Sequence, residues 1–115
     1  MGESIVRRKS FEFALTIIDL YKKMIAQNEY IISKQILKSG TSIGANIEEG
    51  LAGQSKRDFV AKLSIASKEA RETRYWLLLL KESKLIAVNI EKQLEDIDEI
   101  IKLLTSIVKT SQKEL

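Results

Sequence analysis

No cysteine, no histidine and no proline occur in the 115 residues of this chain, and only five residues are glycine. Each absence closes off a class of chemistry. Without cysteine there are no disulfides and no thiolate metal sites. Without histidine the commonest general base, the near-neutral pH switch and the usual imidazole metal ligand are lost together. Without proline there is no Pro-rich linker, and long helices can run unbroken. Aromatics are few: Phe11, Phe13, Phe59, Tyr21, Tyr30, Tyr75 and Trp76. No apolar run approaches the ~18 residues of a membrane span. The segment after the basic start carries Glu12 and Asp19, so it lacks the ~7–15-residue apolar core of a signal peptide. A cytoplasmic protein that does not enter the membrane is expected.

What is present suits a helical core, with Ile, Leu and Ala dominating the apolar residues. The length is one domain's worth and can bury roughly two-thirds of the unfolded surface, so no staple is needed. Four stretches carry helical periodicity. The first is expected over about residues 10–27, capped by Ser10 and ended by Asn28, with a core stripe of Ala14, Ile18, Tyr21 and Ile25 widened by Phe11, Leu15, Ile17 and Met24. The second is expected over 29–49 on the line Ile32, Ile36, Ile43, Ile47. Gly40 and Gly44 fall inside it. Each costs about 1 kcal/mol against Ala, so a closely approaching helix should compensate; a break at Gly40 is the alternative. Gly50 is expected to end this helix in the left-handed region. The third, over 55–83, opens on Ser55 with Asp58 three residues on, a capping-box pattern, and lines one face with Phe59, Leu63, Ala66, Ala70, Thr73 and Leu77. The fourth, over 89–110, is capped by Asn89 and carries Ile90, Leu94, Ile97, Ile101, Leu104 and Val108 in alternating steps of four and three, a coiled-coil-like seam. Residues 110–115 are expected to fray. Four such helices joined by short loops predict an all-α, antiparallel up-and-down four-helix bundle.

Four groups of residues are candidates for function. Ser42, Asn46 and Glu49 form a polar line beside the second helix's core, with Glu69 and Glu72 of the third helix within reach. Their first reading is a buried hydrogen-bond network that fixes helix register. Glu48, Glu49, Glu69 and Glu72 could suggest a carboxylate metal centre, but di-iron bundles of that kind need Glu-x-x-His motifs, and no nucleophile or phosphate cradle accompanies them. No enzyme activity, metal or cofactor is expected. A basic stripe comes third: Lys56, Arg57, Lys68, Arg71, Arg74 and Lys81 fall within an arc of about 140° on the third helix, with Tyr75 in the same arc. Residues 55–84 hold eight basic and four acidic side chains, a net +4, whereas residues 85–115 hold four and six, a net −2, in a chain of net charge +3. Clustered Lys and Arg suit nucleic-acid phosphates, and Arg57, Lys68, Arg71, Arg74 and Tyr75 are the contacts expected. A solvated helix face with ordinary i,i+4 pairs is the alternative. Last, the run from Trp76 to Leu80 is apolar all the way round the helix. Trp76, Leu78 and Leu79 point away from the core face, and exposed apolar surface of this kind marks an interface, here for self-association.

The segments Thr41-Ser-Ile-Gly-Ala-Asn-Ile-Glu-Glu-Gly50, Ser55-Lys-Arg-Asp-Phe59 and Ile65-Ala-Ser-Lys-Glu-Ala-Arg-Glu-Thr-Arg-Tyr-Trp-Leu77 resemble the bacterial four-helix-bundle family first found in intervening sequences of large-subunit ribosomal RNA genes. The accessory proteins of diversity-generating retroelements are similar. The resemblance implies an up-down bundle that assembles into a ring-like homopentamer. For the retroelement branch it also implies binding to RNA or DNA and to a reverse transcriptase. Its signature residues fall on Asn46, Glu49, Gly50, Ser55, Asp58, Phe59, Glu69, Glu72 and Tyr75, most of them in structural roles. The function expected is a non-enzymatic oligomer that binds nucleic acid through the third helix, with a protein-interaction scaffold as the alternative.

Overall fold

In a computed structural model, which describes residues 2–115, four helices follow one another: α1 (Gly2–Ala26), α2 (Ile32–Leu51), α3 (Lys56–Ser83) and α4 (Glu91–Lys113). Each runs beside its two neighbours in the cycle α1–α2–α3–α4–α1, and among the described residues the backbones of the diagonal pairs, α1 with α3 and α2 with α4, do not approach closely. This is the up-and-down bundle that the four stripes require. Its extents are 46 × 20 × 19 Å. The long axis is one helix long, since 28 residues at 1.5 Å span about 42 Å.

α1 departs most from expectation. It starts at Gly2, and Ser10 lies inside the helix, buried, with its hydroxyl donating to the Arg7 carbonyl at 3.0 Å. The buried line is Val6, Ser10, Phe13, Ile17, Leu20 and Met24, in steps of four and three. Of the stripe expected from sequence, Ile17 and Met24 are buried and Ala14, Tyr21 and Ile25 are half-buried, but Phe11, Leu15 and Ile18 are exposed. α1 carries two apolar stripes of the same period. The inner one wins because Val6 extends it a further turn, beyond the reach of any helix that started at Ser10.

α2 is continuous through Gly40, and the reason is close packing. A Cβ there would lie 2.9 Å from Ile17 Cγ2. Gly50 does the same for α3, where a Cβ would lie 2.6 Å from Leu63 Cδ1. Gly50 is therefore helical, with no positive φ, and the helix runs on to Leu51. The left-handed positions are instead Asn28 and Lys84, at the ends of α1 and α3. α2 starts later than expected because the buried Glu29 carboxylate folds back to cap it. It accepts from the backbone N–H of Ile31, Ile32 and Ser33 at 2.8–2.9 Å.

α3 matches its expected limits. Ser55 caps it by accepting from the Asp58 N–H at 3.1 Å, and Leu63, Ala66, Ala70, Thr73 and Leu77 are fully buried. In α4, Ile90, Leu94, Ile97, Ile100 and Leu104 are buried while Ile101 and Val108 are half-buried. The Asn89 side chain accepts from the Glu91 N–H. α4 continues past residue 110 to Lys113, with Ser111 buried and Lys56 paired with Glu114 at 3.0 Å.

Candidate nucleic-acid interface

The basic stripe of α3 faces in two directions. One side meets α4, whose acids neutralise much of it: Lys56 pairs with Glu114 at 3.0 Å, Arg74 with Asp98 at 2.7 Å and Lys81 with Glu91 at 3.0 Å. The opposite net charges of the two segments are thus in part the complementarity of packed neighbours. Exposed pairs of this kind contribute about 0–1 kcal/mol each. Arg57 and Lys68 are exposed and have no partner among the described residues.

Between α3 and α4 runs a groove that the sequence reading missed. Ser64, Ser67, Arg71 and Arg74 line it from α3, and Asp98, Lys102, Thr105, Lys109 and Gln112 from α4. The α3 set is spaced by three, four, three and the α4 set by four, three, four, three, so each is a polar stripe at the border of its helix's core stripe. Two adjoining clefts of about 350 and 270 Å³ meet at Arg71. Its guanidinium donates to Thr105 Oγ1 at 3.1 Å, and that hydroxyl donates on to the Ile101 carbonyl at 2.7 Å. Lys102 and Lys109 are exposed and unpaired among the described residues. The groove holds four cations, Arg71, Arg74, Lys102 and Lys109, against one acid, Asp98, with hydroxyl and amide donors between them. Helix 4 reads as acidic because its acids crowd its first half; Lys102 and Lys109, seven residues apart, are the signal that could have found this surface.

The polar line is only partly a network. Ser42 Oγ donates to Glu69 Oε1 at 2.8 Å, joining α2 to α3 as expected. Asn46 is half-buried and donates to its own helix, to the Ser42 carbonyl at 2.8 Å. Glu49 is exposed, not buried, and reaches α3 only through Lys62 at 2.8 Å. Glu72, also exposed, accepts from Trp76 Nε1 at 3.1 Å. The buried polar link between the two helices is another pair, Ser39 and Thr73, with hydroxyls 2.9 Å apart. Among the described residues no group of three or more His, Cys, Asp or Glu is placed to hold a metal. Nor is any helix long and apolar enough to cross a membrane.

The apolar belt is largely absorbed. Leu77 and Leu80 are buried, and Trp76 and Leu78 pack half-buried against the core. Of the expected interface residues only Leu79 stands exposed, at 40%. Tyr75 is 58% exposed and meets Trp76 edge-on, ring centres 5.2 Å apart. The larger apolar surface is on α1, where Phe11 is 66%, Leu15 51% and Ile18 37% exposed. Beside it, Arg7 makes a two-pronged ion pair with Glu48 of α2 that raises the guanidinium pKa above its ordinary value.

A family profile described as 23S rRNA-intervening sequence protein matches residues 2–106. A solved structure from Bacteroides thetaiotaomicron, described as a protein of unknown function from the S23 ribosomal protein family, is 51% identical. The match covers 95% of this chain and 99% of that one, with a TM-score of 0.90. No protein of curated function matches.

Proposed function

The chain belongs to the 23S rRNA-intervening sequence protein family, and from that premise we propose a non-enzymatic homo-oligomer that binds nucleic-acid backbone through the α3/α4 groove. The observation that carries this reading is the pair of facing polar stripes, Ser64–Ser67–Arg71–Arg74 and Lys102–Thr105–Lys109–Gln112. Cations alternating with hydroxyl and amide donors are groups that contact phosphate and sugar, and contacts to phosphate and sugar carry no base readout. Arg57 and Lys68 lie toward the outer side of α3 and extend the field beyond the groove. In an oligomer the groove repeats on every subunit, so a weak local affinity is multiplied. The ring-like pentamer expected from the family resemblance is the assembly we propose.

The test is fluorescence anisotropy with short single-stranded and duplex RNA and DNA. Affinity is expected to fall with salt on a logarithmic slope of about −0.7 to −0.9 per phosphate neutralised. Lys102→Glu with Lys109→Glu should abolish binding, while Lys22→Glu with Lys23→Glu, on α1, should not. Binding that survives the α4 reversal moves the site elsewhere. No binding by the wild-type assembly at low salt leaves the second reading, a protein-interaction scaffold. That reading is favoured by the internal pairing of Lys56, Arg74 and Lys81 and by the exposed apolar face of α1.

A further inference from the structure

One pole of the bundle, where the α1–α2 and α3–α4 connections lie, is charged differently from the sides. Between Asp19 and Glu48 the chain has a single acid, Glu29, against four lysines, Lys22, Lys23, Lys34 and Lys38. Glu29 is buried, and both of its carboxylate oxygens are committed to the backbone N–H groups of Ile31, Ile32 and Ser33. The surface of this stretch therefore carries no exposed acid. Lys22 and Lys23 stand near the end of α1, Lys34 near the start of α2, and Lys84 directly after α3. All four are exposed and have no partner among the described residues. On the neighbouring connection Glu91 is paired with Lys81 at 3.0 Å, which leaves Glu82 against them.

The same pole carries exposed apolar side chains. Ile31 is 74%, Leu85 54% and Tyr30 52% exposed, and Ile31 is the most exposed large apolar residue described. The two connections that bear them are fastened together. The Gln27 side chain donates to the Ala87 carbonyl at 2.9 Å and accepts from the Ala87 N–H at 3.1 Å. Backbone donors near the tips also have partners: Asn28 and Glu29 bond back to α1, Ile31 to the Glu29 carboxylate, and Leu85 to Ser83 Oγ. Covering this surface strands none of those donors, and loops already held lose little freedom when covered.

The end of a bundle 46 Å long and 20 Å wide is a blunt convex tip, and the clefts described above run along its sides. A bilayer surface receives such a tip without any matching shape. Apolar residues reach the acyl boundary, a tyrosine suits the headgroup level, and lysines meet anionic headgroups. Nucleic-acid phosphates would engage the lysines but offer nothing to Ile31 and Leu85.

We propose that this pole docks end-on against an anionic phospholipid surface, with Ile31, Tyr30 and Leu85 entering the headgroup region and Lys22, Lys23, Lys34 and Lys84 facing lipid phosphates. The contact is peripheral. It rests on neither the α3/α4 groove nor any assembly.

Flotation of the intact chain with vesicles of phosphatidylcholine and phosphatidylglycerol, beside phosphatidylcholine alone, tests this. Binding is expected on the anionic vesicles only, and it should weaken with salt. Each lysine near the surface is worth roughly fivefold, so Lys22→Gln with Lys34→Gln should lower the affinity roughly 25-fold. Lys102→Gln with Lys109→Gln, in the α3/α4 groove, should leave it unchanged. Ile31→Ser with Leu85→Ser, both at exposed positions, should keep the fold by circular dichroism and lose the binding that survives salt. Because the chain has no cysteine, Ile31→Cys carrying a polarity-sensitive dye should shift to the blue on anionic vesicles, while a dye on Gln54→Cys at the other pole should not. An equal response at residue 54, or an equal loss from the groove variant, overturns the pole as the contact. A wild-type chain that does not float with anionic vesicles at millimolar lipid overturns the proposal. If the pole lysine variant then loses short-RNA binding, those lysines serve nucleic acid instead.

Discussion

Gly40 and Gly44 sit one turn apart in α2, and replacing each by alanine should move stability in opposite directions. Both replacements gain the same helix-forming advantage, about 1 kcal/mol. At Gly44 the added Cβ meets Ser10 Oγ at 3.4 Å and nothing nearer, an ordinary contact, so Gly44→Ala should stabilise by most of that amount. At Gly40 the Cβ would meet Ile17 Cγ2 at 2.9 Å, Cγ1 at 3.0 Å and Cβ at 3.4 Å. Those atoms belong to a β-branched side chain with no exposure, whose χ1 is held in one rotamer on a helix. It cannot swing aside, so the helices must separate. Overpacking of this kind costs about 1–3 kcal/mol, and the net is a loss of about 1 kcal/mol. Thermal melts would read this as opposite shifts of roughly 4 °C each. A double-mutant cycle isolates the cause. Ile17→Ala removes both γ carbons at a cost of about 2–5 kcal/mol, and in that background Gly40→Ala should become stabilising. If Gly40→Ala alone raises the melting temperature as Gly44→Ala does, close packing is not why glycine stands there.

Two further outcomes follow from buried polar groups. Thr73 has one hydroxyl proton and two partners, Ser39 Oγ at 2.9 Å and its own helix's Glu69 carbonyl at 2.8 Å. Thr73→Val strands Ser39 inside the bundle and should cost about 1–3 kcal/mol in chemical denaturation, much of it recovered by adding Ser39→Ala; a double variant no better than the single rules out a stranded hydroxyl. Glu29→Ala removes the acceptor of three backbone N–H groups and should cost about 2 kcal/mol, with exchange protection lost first at residues 31–33. Unchanged amide exchange there would mean that these N–H groups do not depend on the carboxylate.

The strengths and failures of reading this chain as a sequence share one physical origin. Where a helix has one apolar stripe, period alone locates its buried face. Leu63 to Leu77 on α3 were found in that way, as were Ile90, Leu94, Ile97 and Leu104 on α4, although Ile100 and not Ile101 takes the fully buried place between them. α1 has two stripes, and period cannot say which one faces inward; the choice depends on Val6 and on the neighbours. Gly50 has the position of a helix terminator, but its role depends on Leu63, a residue of the next helix. Glu29 caps α2 from an acid that is not a usual capping residue. The α3/α4 groove was half visible. Its α3 wall was read as a basic stripe, while Lys102 and Lys109 were hidden by the acidic count of the segment that contains them. Asn46 and Glu49 were placed on the correct side of α2 but too deep, because polar residues at a core border can also turn outward to solvent or to Lys62.

The cyclic contact order of the helices has a consequence for connectivity. α4 returns to α1, with Gly2 beside the Ile107 side chain, so every helix has two antiparallel neighbours and the covalent path is a circle with one gap. Nothing in the packing marks where that gap must fall. A circular permutant that tethers the end of α4 to the start of α1, and is opened at the exposed loop around Gly53, would keep all four helix–helix seams and exchange one short closure for another. The entropic difference is small, because closure cost grows only with the logarithm of loop length. Side-chain pattern, more than the order in which the helices are written, then specifies this architecture, and the start of α1 and the end of α4 lie at one pole of the bundle.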